Sequence, residues 1–468
     1  MKPPKRAGLV WLGLLVAACL MLASCGQKIS PQETRQARLD WNLETTVGAY
    51  QTVGDNDARW DEPAKRALEE FARSRSRIVD SDENLAEIIG TNCAAAVAAG
   101  CDDPLIRYLY IRNSMSQTNS RQAFADAFSK MADDMQESGY PDIRKFYAAL
   151  RTAEQLKFAA GDNPRTPPEV HHYRHLAMTN LAAALENKLL PAGEVSDACR
   201  DMLDALAQNG KQYEDCYRSI EGLLFKNWPD ESAAWLVKGG AYIKLAWFAR
   251  GGGYADSVTD AQWKLFGERL ATAEKSLNKA WKLNPNDARI PLEMMKVELG
   301  QGNGRDTLEL WFNRAMTIDP DDYAACSSKL YYLEPKWHGS TEEMLKFGRE
   351  CVQAEKWGGR VPLVLMDAHK TIHASYLEDA EKDDYWKRPE VWADLHASFE
   401  RFFELNPTAV GWYHNYAWYA YHAGQWDVLN EIIPKLGPAN YSYFGGKDEF
   451  EKMLQLAKEH SKRAASQP

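Results

Sequence analysis

The sequence predicts an all-α protein built from stacked helical hairpins. Apolar residues recur at three- and four-residue spacing, and alternating apolar/polar runs bounded by tight hairpin turns are missing. A proline-marked pattern also returns after 35 residues, from Pro285 to Pro320. With 45% hydrophobic and 26% charged residues, a collagen-like or disordered chain is excluded. The length of 468 residues allows two or three domains, or one continuous repeat array. Acidic residues outnumber basic ones, 66 to 56, for a net charge of -10. Nucleic acid is therefore not an expected partner, since binding it takes a basic face that displaces counterions.

The N-terminus carries an address. Lys2, Lys5 and Arg6 precede an apolar run, Ala7 to Ala23, that is short for a membrane span, which is the pattern of a secretory signal. The run ends in Leu22-Ala23-Ser24-Cys25, which resembles the lipobox cleaved by bacterial lipoprotein signal peptidase. The resemblance implies a signal peptide at 1–24 and acylation of Cys25, so that the lipid bilayer is a partner through that lipid. The rival stretch Val16-Ala17-Ala18-Cys19 is followed by apolar residues, which favours Cys25. Gly26 follows the cysteine, and the expected location is the cell envelope, at the outer membrane facing the periplasm.

Beyond a tether at 25–38, a helical region is expected at 39–210, without a clean repeat register. Helix starts are written in capping chemistry. Thr166-Pro167-Pro168-Glu169 places a hydroxyl before a first-turn proline, and Ser340-Thr341-Glu342-Glu343 reads as a capping box. The repeat region is expected at 211–458, and a frayed tail at 459–468.

Within the repeat region, Ala273, Leu277 and Ala280 stand twelve, eight and five residues before Pro285, and the same offsets from Pro320 give Leu308, Phe312 and Ala315. From Pro407 they give Leu395, Phe399 and Phe402. Forward of Pro229 come Trp235, Gly239 and Tyr242, and forward of Pro407 come Tyr413, Tyr416, Ala417, Gly424 and Trp426. This pattern resembles the tetratricopeptide repeat (TPR), which implies a TPR-like α-solenoid whose hairpins bury their apolar stripes only by stacking, leaving a groove. Two spacings depart from the period. Pro229 to Pro285 is 56 residues, with the excess around Arg250-Gly251-Gly252-Gly253-Tyr254, and Pro320 to Pro407 is 87, which points to an enlarged unit. The stretches Ala246–Ala255, Trp263 to Phe266, Ala280–Pro285 and Pro335–Ser340 also resemble a bacterial family known as domain of unknown function 4034, over roughly 215–380. That resemblance implies an exported TPR-like protein and brings no activity. His338 stands where the family pattern has Gly.

Six cysteines remain beyond the signal and Cys25: Cys93, Cys101, Cys199, Cys216, Cys326 and Cys351. Residues equidistant from a hairpin turn face each other. Cys326 and Cys351 are centred on Pro335–Gly339, and Cys199 and Cys216 lie beside Asn209-Gly210, so both pairs are candidate disulfides in an oxidising compartment, with free buried thiols as the alternative. Cys93 and Cys101 could meet only if their helix ends near Gly100.

Candidate sites are few. Glu169 with His171, His172 and His175, and His369 with His373, Asp367 and Glu378, have metal-ligand spacing, but each set also fits a polar helix face, and no metal is assigned. The triple glycine after Arg250 lacks the lysine and hydroxyl of a phosphate loop and reads as an inter-helix insertion. Trp337 reads as a packed turn aromatic, with Ser340 capping the next helix. In the aromatic cluster Trp412 to Trp426, repeat-core positions account for Tyr413, Tyr416 and Ala417, leaving Trp418, Tyr421 and His422 for a groove or a capping surface. No nucleophile–base order is discernible, so no enzyme and no cofactor is expected. The expected function is a membrane-anchored scaffold that binds a protein or peptide. A glycan-binding lipoprotein and a hydrolase using His369 and His373 are the alternatives.

Overall fold

A computed structural model describes residues 31–76, 85–115, 120–161, 167–188, 190–206, 209–437 and 441–465. Among these residues the fold is all-helical, without a strand. Cys25 and the signal lie outside the described residues, as does the Thr166 cap. No described helix is long and apolar enough to cross a membrane.

The N-terminal half begins with α1 (Pro31–Leu43), which continues through a π-helical stretch, Glu44–Gly48, into Ala49–Val53. The helix starts inside the segment expected to be tether. There follow α2 (Asp61–Ser76), α3 (Leu85–Ala98), α4 (Pro104–Tyr110), α5 (Arg121–Glu137), α6 (Asp142–Ala159), α7 (Pro168–Glu186), α8 (Ala192–Leu206) and α9 (Gly210–Asn227). Polar side chains satisfy the first amides of several: Asp103 accepts from Leu105 and Ile106, Ser120 from Ala123, and Asn209 from Gln212. α3 stops at Ala98, and Gly100 then takes φ +103, a turn that glycine adopts without strain.

The second half consists of α10 (Ser232–Arg250), α11 (Asp260–Leu283), α12 (Arg289–Gln301), α13 (Arg305–Ile318), α14 (Tyr323–Tyr332), α15 (Thr341–Gln353), α16 (Val364–Ser375), α17 (Asp379–Tyr385), α18 (Pro389–Leu405), α19 (Tyr413–His422), α20 (Trp426–Ile432) and α21 (Lys447–Ala465). Thr259 and Gln262 form a reciprocal capping box at α11, and Ser340 accepts from the Glu343 amide at α15, as its sequence predicts. The helix α21 runs to Ala465, through most of the segment expected to fray.

The helices pair as hairpins, each packed on the next. In the first, Trp247 meets Phe266, and Arg269 hydrogen-bonds the Leu245 carbonyl, which sets α10 and α11 antiparallel. A Cβ at Gly239 would lie 2.5 Å from Leu277 Cδ2, so a glycine is what lets these two helices approach so closely. The nine repeat positions before Pro285, Pro320 and Pro407 are all buried, none more than 1% exposed. Both irregular spacings have a cause. The excess after Pro229 goes into the long α10 and α11 and the loop between them, and that after Pro320 into the extra short helix α17.

Two cores form, and they share α10. Ala233, Val237, Ala241 and Leu245 pack into the first, and Leu236, Ile243 and Ala246 into the second. The first core thus continues past the boundary expected at 210. A buried ionic cluster of the N-terminal half also stands at the seam, where Arg289 reaches it from the second half. Glu194 accepts from Arg38 Nη2 at 3.0 Å and from Tyr147 Oη at 2.6 Å, and Asp197 accepts from Arg38 at 2.6 Å and Arg200 at 2.8 Å. Arg289, at the start of α12, donates to the Gly193 carbonyl at 3.2 Å.

Candidate functional site

Where α10 faces both cores, a half-open groove of about 600 Å³ runs between α8, α10, α12 and α14. This is the size of a cavity that holds a small ligand or a few side chains. The floor is apolar, made by Leu236, Val237, Ala241 and Leu203, and Gly240, with no side chain, leaves the α10 side of it open. Ser196, Arg200 and Asp204 come from α8, so the N-terminal half supplies one wall. Ser327, Ser328 and Tyr331 come from α14.

The far end is aromatic. Trp337 meets the Trp247 ring edge-on at 5.7 Å and Tyr331 at 5.7 Å, while Lys336 sits 4.6 Å over the outer side of Tyr331. Trp337 is thus the packed turn aromatic expected, and it lines the groove as well. Its indole nitrogen is buried without a hydrogen-bond partner among the described residues, which costs on the order of 1–3 kcal/mol. His338 explains its own place in the turn: it hydrogen-bonds the Leu299 carbonyl at 3.1 Å and stacks on Tyr332 at 4.5 Å, fastening the turn to α12.

The groove's charges are close to balanced. Arg200 pairs with Asp197, Arg289 with Asp287 and Lys296 with Glu293. Burial drives the Asp197 carboxyl upward, but Arg38, Arg200 and Arg289 around it outweigh that and hold it at about 2. Lys244 and Asp204 form no ion pair among the described residues.

The residues singled out from sequence lie elsewhere. Trp418 packs on Trp386 at 6.0 Å, Tyr419 at 4.9 Å and His422 at 4.0 Å, and Tyr421 lies against His422 and Trp426. None of the three lines this groove: Trp418 and Tyr421 are half-buried against neighbouring rings, and His422 is exposed. Desolvation by these neighbours lowers the His422 pKa, and His373 and Lys387 add like charge.

Neither histidine set gathers ligands. His171, His172, His175 and Glu169 stand exposed on α7. His369 is buried with both ring nitrogens engaged, Nδ1 with Tyr385 Oη at 2.7 Å and Nε2 with Asp394 at 3.0 Å. His373 instead stacks on Trp386 at 4.6 Å, and Asp367 accepts from Tyr323 Oη. Among the described residues no group of three or more His, Cys, Asp or Glu could hold a metal.

All six described cysteines are buried free thiols. The expected partners share a core, Cys326 with Cys351 in the second and Cys199 with Cys216 in the first. Burial raises the Cys93 thiol to about 12, and Cys101 adds to that rise from beyond the Gly100 turn.

Most groove residues carry no sequence signal. The exceptions are Trp247 and Trp337, which fall inside two of the stretches that carry the family resemblance. Comparison with family models and with curated proteins finds no match for the chain.

Proposed function

We propose that this chain is a lipid-anchored helical-repeat scaffold of the bacterial envelope whose groove docks a segment of a partner protein. The observation that carries it is the groove at the seam of the two cores, apolar on its floor and aromatic at one end. Tightly packed aromatic anchors of this kind dominate binding energy at protein interfaces. The nine buried repeat positions support reading the second half as TPR-like hairpins, and Leu22-Ala23-Ser24-Cys25 supports acylation of Cys25. Docking on such a scaffold asks for no catalytic group.

In-cell photo-crosslinking tests the docking. A photoreactive residue at Tyr331 should capture a defined partner, and Trp337→Ala should abolish that capture. A probe at the exposed His172 on α7 should not capture it. Equal capture from both positions would overturn the assignment of the groove. Mass spectrometry of the mature protein tests the anchor separately, since a first residue without acyl mass contradicts it.

Glycan binding is the second reading, and in the structure it moves from Trp418 to the aromatic end of the groove. There Trp337 and Tyr331 stand beside the hydroxyls of Ser327 and Ser328. Binding to a glycan array that disappears in Trp337→Ala would favour it over protein docking.

A further inference from the structure

Cys326 on α14 and Cys351 on α15 lie in the same core, and Lys329, one turn on from Cys326, sits over the ring of Phe347, one turn before Cys351, so the two thiols come from neighbouring helices side by side. Both are essentially without solvent exposure, at 0% and 1%. Cys326 also lies 3.7 Å from the Met316 sulfur. Close by, the Lys329 ammonium is held over the rings of Phe312 and Phe347, at 4.2 and 4.5 Å, and pairs with Glu309 at 2.7 Å. The chain between the two thiols carries Ser327, Ser328, Tyr331 and Trp337, which is one whole wall of the groove.

We infer that Cys326 and Cys351 are a disulfide site that staples this wall of the groove when the chain folds in an oxidising compartment. The step is thiol–disulfide exchange with a small-molecule or protein disulfide. The Cys326 thiolate attacks the oxidant's sulfur and expels one thiolate, and the Cys351 thiolate then displaces the second. Two protein thiols become one disulfide, and the oxidant's disulfide becomes two thiols. Because both sulfurs are sealed from solvent in the folded chain, exchange belongs to folding. Once made, the bridge resists reduction until the hairpin opens. Its physiological use rests on the envelope location proposed above, whereas the capacity to form it does not.

The test separates the two. Full-length protein made in a reducing cytoplasm is unfolded in guanidinium, refolded in a glutathione–glutathione disulfide buffer, checked by circular dichroism, and alkylated after denaturation. The expected result is the loss of two alkylation adducts, and a peptide map linking 326 to 351. Cys351→Ser should refold to the same helical spectrum without that link. Hydrogen exchange over 327–337 should slow in the bridged form. A second preparation, recovered from the cell envelope after export and alkylated in the same way, gives the answer independently of refolding. Helical protein that keeps both thiols, or links either to another cysteine, overturns the inference. A bridge formed on refolding but absent from the exported protein would overturn the staple as a feature of the protein in its compartment.

Discussion

Arg35 reaches Asp319, 284 residues further along the chain, its Nη2 lying 3.0 and 2.8 Å from the two carboxylate oxygens. Three residues later on α1, Arg38 is bound to Glu194 and Asp197. The helix α1 is therefore a strap that crosses from the end of α13 to the seam of the two cores.

The Arg35–Asp319 pair is partly solvated, with side-chain exposures of 29% and 24%. Asp319→Asn should therefore lower global stability by less than about 1 kcal/mol while loosening the first turns of α1. Hydrogen exchange over residues 31–37 should accelerate at least severalfold and become less sensitive to salt, with little change elsewhere. An unchanged exchange rate would show that the strap is held by other contacts.

Glu194 is a different case, since it is fully buried and accepts from Arg38 and Tyr147, with Arg75 at 3.5 Å. Glu194→Ala takes the buried carboxylate from Arg75 and Tyr147 and leaves Arg38 with Asp197 alone, which costs about 3–5 kcal/mol. Denaturant unfolding should show this as a lower midpoint, and a change below 1 kcal/mol would contradict this pairing.

Asp197 sets an acid limit. Its folded pKa of about 2 lies below the ordinary 3.8, so the folded state binds its proton less tightly than the unfolded chain does. The stabilisation, on the order of 2 kcal/mol, is fully present above about pH 4 and is lost as pH falls toward 2. Thermal melts from pH 6 down to pH 2 should show this loss, and Asp197→Asn should flatten that part of the profile.

Two glycines should respond oppositely. At Gly239 a side chain meets Leu277, so Gly239→Val should destabilise by about 1–3 kcal/mol through overpacking of α10 on α11. At Gly267, mid-helix on the exposed side of α11, a Cβ meets nothing within 4 Å. Gly267→Ala should stabilise by about 0.5–1 kcal/mol, because alanine loses less backbone freedom on folding. Paired melting curves check both, and a shared sign would refute the packing argument.

Local chemistry was legible in the chain itself. The helical period, the Ser340 cap, the nine apolar repeat positions and the facing of Cys326 and Cys351 each depend on residues a few turns or one hairpin apart. That is the range over which periodicity and capping carry information. The aromatic cluster misled because ring density reports burial as readily as exposure. Trp418 and Tyr421 found partners in Trp386 and Trp426, whose positions no local rule supplies.

The primary structure alone determined the helices, their pairing into hairpins and the residues inside each hairpin, because those follow from backbone geometry and apolar spacing at short range. Only the tertiary structure decided that both cores meet on α10, that α8 walls the groove opposite Tyr331, and that Arg35 finds Asp319. Each of these depends on how small angles between successive hairpins accumulate over the stack. That sum brings together residues hundreds of positions apart and leaves no mark in any local stretch of sequence.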